Sequence, residues 1–249
     1  MWPFTRRAIT PPHFPPDRIG FAIGDIHGRA DLLARALTHI EAIAPTSEPP
    51  PIVVFLGDYI DRGPASAEVL DLLIGWSFAA EKRFLLGNHE QSMLAFLDDP
   101  VSLRAWLNHG GRETLLSFGI QPPGHDTPTD TLPAVAASLK HALGQSRQAF
   151  LNALERYVEY GDYLFVHAGI DPLKPLDQQE DLDLLWIRER FLHANRKQGP
   201  VVVHGHTPAE HPMLGPRRIG IDTGAYATGC LTIARFEQAA VTFTPITIA

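Results

Sequence analysis

The chain has 249 residues, a single cysteine and a formal net charge of −7 at pH 7. This length suits one large domain or two small ones, and one cysteine excludes an intrachain disulfide. The acidic balance argues against a nucleic-acid-binding protein, and no apolar run approaches the roughly 20 residues that span a bilayer. We therefore expect a cytoplasmic protein without a nucleic-acid or membrane partner.

The first 18 residues differ in composition from the rest of the chain. They contain two adjacent arginines, but four prolines between positions 11 and 16 take the place of an apolar signal-peptide core. This composition argues against a secretory signal. We expect residues 1–18 to form an extended, Pro-rich leader that lies on the surface or is disordered, and residues 19–249 to form a single domain.

Strand-like and helix-like segments alternate in the first third of the domain. Apolar runs predict the strands, and the spacing of apolar residues predicts the helices between them. Asp31 is a candidate cap for the first helix, and Pro64 suits the first turn of the second. This order favours right-handed crossovers and a largely parallel sheet. We predict strands over 19–23, 52–56 and 83–86, and helices over 31–44 and from Pro64 onward.

The middle of the chain interrupts this alternation with several helical patterns, which we interpret as a helical insertion or cap over about 91–158. Strand-like segments then return without long helices between the last of them, so we expect antiparallel pairing there. The predicted helices cover 91–97, 102–108, 112–118, 132–143 and 146–158. The predicted later strands cover 163–166, 201–203, 218–221, 230–236 and 240–248.

Five short polar motifs follow apolar, strand-like runs. Ligands in open α/β sheets bind at the carboxyl ends of strands, so these motifs are expected to converge on one site. Their carboxylate, imidazole and amide groups are ligands of borderline-to-hard divalent metals. Two divalent ions held there would leave a net positive charge that attracts phosphate. The motifs are GDIHG at 24–28, GDYIDRG at 57–63, GNHE at 87–90, HAG at 167–169 and HGHT at 204–207.

Residues next to the potential metal ligands suit phosphoester chemistry. A leaving alkoxide needs a proton, which His89 could donate while Asp61 orients its ring. A guanidinium fork matches phosphate oxygens, so Arg62 is the first candidate for holding the substrate and Arg188 the second.

The five motifs, extended by IDTG at 221–224, resemble those of the calcineurin-like metallophosphoesterases, specifically the bacterial serine/threonine phosphoprotein phosphatase branch. The resemblance implies an α/β fold, a four-layer α/β/β/α sandwich of mixed β-sheets with a helical insertion. It also implies two divalent metal ions, manganese first and iron or zinc as alternatives. One ion would be held by Asp25, His27 and Asp58, and the other by Asp58, Asn88, His167 and His206.

The same resemblance implies roles for the remaining site residues. His89 with Asp61 would form the acid pair, and Arg62 would contact the substrate phosphate, with Asn88 and Arg188 beside it. The implied reaction is hydrolysis of phosphomonoesters by direct attack of a metal-bound hydroxide. The favoured substrates are phosphoserine and phosphothreonine in proteins, with phosphotyrosine or a small phosphoester as further options.

Three departures from the family pattern leave the substrate open. Leu86 stands where many members have a phosphate-binding arginine, and Pro208 stands where many relatives outside this branch have a further histidine. The HAG form at 167–169 is shared with bacterial diadenosine tetraphosphate hydrolases. Symmetrical cleavage of diadenosine tetraphosphate is therefore the alternative activity. A catalytically inactive scaffold that binds phosphoproteins is the alternative of another class.

Several polar residues remain outside this scheme. His204 precedes His206 by two positions, and we expect it to lie behind the metal ligands or to be structural. Tyr226 could approach the site or serve in a turn, and His109 is expected to be a loop residue rather than a catalytic one. We expect structural or surface roles for His39, His125, His141, His193 and His211.

Overall fold

The structure is a computed structural model that describes residues 11–44, 49–124 and 126–248. Its first sheet has the strand order β10-β9-β1-β2-β3. The pairs β1/β2 and β2/β3 are parallel, whereas β9 runs antiparallel to both β1 and β10. The strands are β1 (Ile19–Ile23), β2 (Ile52–Phe55), β3 (Glu81–Phe84), β9 (Cys230–Glu237) and β10 (Ala240–Thr247).

The second sheet has the order β4-β5-β6-β8-β7. Strands β5, β6 and β8 are parallel, and the edge strands β4 and β7 pair antiparallel with their neighbours. Both sheets are therefore mixed, which confirms the predicted α/β fold class. The strands are β4 (Tyr157–Tyr160), β5 (Tyr163–Val166), β6 (Val201–His204), β7 (Met213–Gly215) and β8 (Arg218–Gly220).

The side chains of the central strands alternate between two apolar layers, because successive residues of a strand point to opposite faces. In β1, Phe21 and Ile23 pack in the cluster that includes the first two long helices, while Ala22 packs in the cluster between the sheets. In β5, Phe165 lies in that inner cluster and Leu164 in a third one. These three clusters give the layered arrangement of helices outside two facing sheets.

Nine α-helices surround the sheets in the described part of the chain. A π-helical segment, Leu107–Gly111, joins the fourth to the fifth, and short 3₁₀ turns lie at Pro100–Ser102, Thr129–Thr131 and Leu176–Gln178. The helices are α1 (Ala30–Ile43), α2 (Ser66–Gly75), α3 (Asn88–Asp98), α4 (Leu103–Trp106), α5 (Arg112–Ser117), α6 (Leu132–Asn152), α7 (Asp181–Trp186), α8 (Glu189–Leu192) and α9 (Ala225–Thr228). None of the described helices combines the length and apolar composition needed to cross a membrane.

Two helix starts differ from the prediction. Helix α1 begins one residue earlier than expected and has Arg29 at its N-cap, while Asp31 lies in the first turn and pairs with Arg29. Asp31 therefore does not cap the helix. Helix α2 begins at Ser66, so Pro64 lies in the preceding turn rather than in the first helical turn.

The end of the predicted insertion is also different. The two helices expected over 132–143 and 146–158 form one element, α6, with a break at Gly144, and this element ends at Asn152. The segment that follows is strand β4, in which buried Val158 precedes exposed Glu159. Only Tyr157 and Val158 of this strand fall within the predicted helix, and there the pairing with β5 outweighed the apolar spacing.

The late strands do not pair as uniformly as predicted. Strand β8 lies parallel to β6 and antiparallel to β7, a short strand that the sequence did not indicate. The antiparallel expectation holds for β9 with β10.

The described part of the leader, residues 11–18, is anchored to the domain. Phe14 is 1% exposed, and its ring lies 5.8 Å from that of Phe236. A side chain at Gly20 would collide with the Phe14 ring, so the glycine makes room for it. Residues 11–18 form neither helix nor strand, and Phe14 is the buried residue that holds this stretch to the domain. Residues 1–10 lie outside the described residues, and the extended leader as a whole stays a prediction.

Candidate metal centre and active site

Most of the predicted metal ligands lie in loops at the carboxyl ends of the strands, and Asn88 is the first residue of α3. The loop after β1 carries Asp25 and His27, the loop after β2 carries Asp58, and the loop after β6 carries His206. Three of these residues have left-handed backbones, with φ of 47° at His27, 52° at Asp58 and 63° at His206. Such conformations are costly for non-glycine residues and concentrate at functional sites.

Asp58 is the centre of this arrangement. Its Oδ2 lies 3.4 Å from His27 Nε2, and its Oδ1 lies 3.4 Å from His167 Nε2. Burial opposes ionisation, but the surrounding imidazoles hold the pKa of Asp58 below its usual range. The two oxygens of one ionised carboxylate therefore face two different sets of imidazoles.

Two groups of possible ligand atoms share Asp58. Within each group the ligand atoms lie within 4.8 Å of one another, and all the residues are buried. The first group consists of His27, Asp58 and His89, and the second of Asp58, His167 and His206.

The backbone fixes which ring nitrogen of two histidines faces the centre. Nδ1 of His27 lies 2.8 Å from the carbonyl oxygen of Ile60, and Nδ1 of His167 lies 2.8 Å from that of Leu56. A carbonyl only accepts, so each Nδ1 donates and each neutral ring presents the lone pair of its Nε2 to the site. Burial lowers the pKa of His27 to about 3 and also lowers that of His167, which favours the neutral, metal-binding form.

Asn88 gives a test of whether the residues fit a metal ion. Its Oδ1 lies 2.9 Å from the lone-pair nitrogen Nε2 of His167 and 2.9 Å from Nδ1 of His206. An oxygen and a lone-pair nitrogen repel each other unless a cation lies within reach of both. Oδ1 of Asp25 and Nε2 of His206 are also buried and have no hydrogen-bond partner in the described structure. These nitrogen and oxygen donors fit divalent metal ions.

Asp25 lies beside the two groups rather than within them. Its Oδ2 accepts the backbone N–H of His206 at 2.9 Å. Burial and the neighbouring charges of Asp222 and Asp58 raise its pKa well above the usual value. A bound cation would favour the charged form of this carboxylate.

Asp222 is a site residue to which the sequence analysis gave no role. It is 4% exposed, and its Oδ1 accepts the N–H of Gly224 at 2.8 Å. Burial, followed by the charge of Asp58, raises its pKa to about 6. The sequence could have indicated Asp222 as a site residue, because it belongs to the IDTG extension of the motifs and follows strand β8.

The predicted acid pair is brought together. Nδ1 of His89 lies 2.7 Å from Oδ2 of Asp61. Trp106 Nε1 and Thr114 Oγ1 donate to the same carboxylate at 2.8 and 2.6 Å, which fixes its orientation. Burial opposes protonation of His89, but the Asp58 charge and the Asp61 hydrogen bond raise its pKa above the usual value. A protonated His89 is suited to give a proton to a leaving group.

The two candidate phosphate-binding arginines lie on opposite sides of the centre. Nη1 of Arg62 lies 2.9 Å from His27 Nε2, and its guanidinium stacks 4.8 Å from the ring centre of Tyr226. Arg188 is exposed, and its charge helps to lower the pKa values of His167 and His206. Tyr226 thus approaches the site through Arg62 and through an edge contact with His27 at 5.3 Å.

The remaining histidines take different positions. His204 is fully buried, its ring packs against Phe191, and it joins neither ligand group. His109 is exposed, yet its ring lies 6.5 Å from that of His89, so it is closer to the site than expected. His125 lies outside the described residues, and neither ligand group includes His39, His141, His193 or His211.

Glu90 is a second residue without a predicted role, although it belongs to the GNHE motif. Its carboxylate is fully buried and accepts backbone N–H groups from the loop that carries Asp58. Oε2 accepts from Asp58 and Gly87, and Oε1 accepts from Tyr59 and Ile60.

Comparison with known proteins places this site in a family context. The family model of the calcineurin-like phosphoesterases matches residues 21–238. Serine/threonine-protein phosphatase 1 of Salmonella typhimurium is 32% identical over 228 residues, which cover 87% of this chain and 91% of the relative. The asymmetrical bis(5'-nucleosyl)-tetraphosphatase PrpE of Geobacillus thermodenitrificans is 24% identical over 205 residues, covering 74% of this chain and 75% of the relative.

A solved structure supports the fold. A point mutant of a cold-active protein tyrosine phosphatase has a TM-score of 0.60 at 17% sequence identity. The alignment covers 94% of this chain and 83% of that chain. The resemblance inferred from the five motifs is confirmed.

Proposed function

Because this chain belongs to the calcineurin-like phosphoesterase family, we propose that it is a dinuclear-metal phosphatase acting on phosphomonoesters of protein side chains. Phosphoserine and phosphothreonine come first among its substrates, with phosphotyrosine and small phosphoesters beside them. One observation carries the proposal: Asp58 turns its two oxygens towards two separate groups of ligand atoms, with His89 beside them. The relative from Salmonella typhimurium supports the same reading.

The residues present would hold two divalent ions, and manganese is the first choice, with iron or zinc as alternatives. Ions bound here would polarise the phosphoryl group and supply a nucleophilic water at neutral pH. Arg62 would bind the phosphoryl oxygens on the side of His27, and Arg188 on the side of His206. His89, oriented by Asp61, would give the leaving oxygen its proton.

The test is the Asp58→Asn variant, assayed on p-nitrophenyl phosphate and on phosphopeptides after metal stripping and controlled reloading. Loss of the carboxylate charge that the two groups share should lower metal content and reduce kcat by at least about 100-fold. Asp17→Asn, which removes an exposed carboxylate from the leader, is the matched control. An unchanged rate in the Asp58 variant, at unchanged metal content, would refute the proposal.

The alternative activity is cleavage of diadenosine tetraphosphate. Because PrpE is a bis(5'-nucleosyl)-tetraphosphatase, this dinucleotide is tested as a second substrate. We expected symmetrical cleavage, which yields two nucleoside diphosphates, whereas that relative is described as asymmetrical. Chromatography of the nucleotide products distinguishes both modes from phosphomonoester hydrolysis. Stoichiometric metal binding without turnover of any phosphoester would instead support the inactive scaffold.

A further inference from the structure

His109 lies at the rim of the candidate active site and has no role in the chemistry described above. Its side chain is exposed, unlike that of His89, which is 1% exposed. The His109 ring centre lies 6.5 Å from that of His89 and 6.2 Å from that of Trp186. Trp186 in turn lies 6.4 Å from His206. These four rings, here called the aromatic arc, run from the proton donor to the second group of metal ligands.

The exposed part of the arc is held by rigid contacts. His109 lies in the π-helical segment Leu107–Gly111, and the carbonyl of Gly110 accepts the N–H of Arg62 at 3.2 Å. Gly110 has a φ of 107°, and a Cβ there would come within 2.7 Å of the Arg62 nitrogen. The segment is therefore pressed against the catalytic loop, as π-helical turns at functional sites often are.

Trp186 is fixed from the other side. Its Nε1 donates to Oε1 of Gln91 at 2.7 Å, and Gln91 Nε2 donates to Asp181 at 3.2 Å. Rings whose orientation is set before the substrate arrives bind it at a lower entropic cost. The Trp186 ring is consequently oriented in advance, and the backbone that carries His109 is held in place beside it.

The position of His89 determines which part of a substrate meets this surface. His89 gives its proton to the leaving oxygen, so the leaving group must lie against His89. The exposed ring next to His89 is His109. An aromatic ring bonded directly to the leaving oxygen would contact His109, whereas the leaving group of phosphoserine has no ring. In a dinucleotide, a ribose and at least one phosphate separate each base from the scissile bond.

We propose that His109, backed by Trp186, is a specificity-determining residue that raises activity towards aryl phosphomonoesters, which in proteins means phosphotyrosine, relative to activity towards alkyl phosphomonoesters. The proposal rests on the phosphatase activity proposed above and gives phosphotyrosine a higher place among its substrates. Contacts between stacked or edge-on rings provide the discrimination.

The test compares two peptides of identical sequence that carry phosphotyrosine or phosphoserine at the same position. In His109→Ala, the ratio of kcat/KM for the phosphotyrosine peptide to that for the phosphoserine peptide should fall by about 3- to 10-fold. Dividing the variant's ratio by that of the unmodified protein cancels the different reactivities of the two leaving groups. His109→Phe, which keeps an aromatic ring, should retain the ratio. His141→Ala replaces another exposed histidine in the helical region and is the control.

A binding measurement separates this proposal from the proposed function. Peptides with the non-hydrolysable phosphonate analogues of the two residues are titrated calorimetrically into the metal-loaded protein. His109→Ala should weaken binding of the aryl phosphonate by a similar factor and leave the alkyl phosphonate unchanged. An equal effect on both peptides, or no effect, overturns the role of His109 even if the enzyme is active. A protein that hydrolyses neither peptide but shows the selective binding loss fails as a phosphatase while the role of His109 stands.

Discussion

Glu90 fixes the backbone of Asp58, because Oε2 of Glu90 accepts the Asp58 N–H at 2.9 Å. The other oxygen accepts N–H groups of Tyr59 and Ile60 at 2.8 and 3.2 Å. Asp58 itself has a left-handed backbone with a φ of 52°. A buried carboxylate thus holds the strained loop that presents the shared metal ligand.

Replacing Glu90 by Gln should therefore loosen this loop. A glutamine amide has one acceptor oxygen, so at least two of the buried N–H groups would face an NH₂ group or lose their partner. We expect a loss of about 2–4 kcal/mol in the free energy of unfolding and weaker metal binding. Urea unfolding monitored by circular dichroism and calorimetric metal titration measure the two effects.

Glu68→Gln is the control for this prediction, since Glu68 is an exposed residue on α2. It should change the free energy of unfolding by no more than about 0.5 kcal/mol. Equal stability of the Glu90 and Glu68 variants would show that the buried carboxylate does not hold the loop.

The sequence indicated which motif residues lie close together in the candidate site, but not which buried carboxylates hold or surround them. The meeting of His27 with Asp58 follows from the adjacency of parallel strands β1 and β2, whose carboxyl ends lie at one edge. The meeting of Asp58 with His167 also requires the second sheet, which contains β5, to pack against the first. The positions of Glu90 and Asp222 did not follow, because their partners are backbone groups and charges that only the folded loops bring together. Local apolar spacing cannot reveal such contacts.

The same limit explains the errors in the fold. The first two residues of β4, Tyr157 and Val158, were assigned to the end of a helix, because the pairing with β5 is a contact between elements that local apolar spacing does not show. The burial of Phe14 within the Pro-rich leader was not predicted, because its partner Phe236 lies far along the chain. Apolar spacing within a segment predicted many of the helices and strands. Contacts between distant segments determined where β4 begins and that Phe14 is buried.

His89→Asn should separate proton donation from metal binding. If His89 is the acid, kcat for an alkyl phosphomonoester should fall by about 100- to 10,000-fold. The loss for p-nitrophenyl phosphate should be smaller, because its leaving group needs little protonation. Steady-state kinetics on both substrates, with metal content measured by atomic absorption, test this expectation. Equal losses on both substrates together with a missing metal ion would assign His89 to the metal site, since its atoms also belong to the first ligand group.

Asp61→Asn should change the pH dependence of kcat. The Asp58 charge and the Asp61 hydrogen bond raise the pKa of His89 despite its burial. Removal of the Asp61 charge lowers that pKa, so the protonated acid is lost at a lower pH. The alkaline limb of the kcat profile should therefore move to lower pH in the metal-loaded variant. A limb at an unchanged pH would mean that another group controls it, and Asp17→Asn is again the control.

Asp222→Asn should weaken metal binding. Asp222 and Asp25 are buried carboxylates that raise each other's energy when both are charged, and a nearby cation relieves this repulsion. The neutral asparagine removes part of the attraction for a divalent ion, so we expect the dissociation constant to rise by about 10-fold. Calorimetric titration with Mn²⁺ measures it. An unchanged dissociation constant would contradict a role of Asp222 in metal binding and would limit it to accepting the hydrogen bond from Gly224.

Phe14→Ala should detach the described part of the leader from the domain. The Phe14 ring is 1% exposed and lies in the cluster between the two sheets, within 5.8 Å of Phe236 and 6.3 Å of Tyr163. Truncation of a buried phenylalanine costs about 3–5 kcal/mol of unfolding free energy. Val101→Ala, at a residue that is 63% exposed, should cost no more than about 0.5 kcal/mol in the same urea titration. Equal stability of the two variants would contradict the anchoring, because a leader that merely lies on the surface buries too little apolar area to matter.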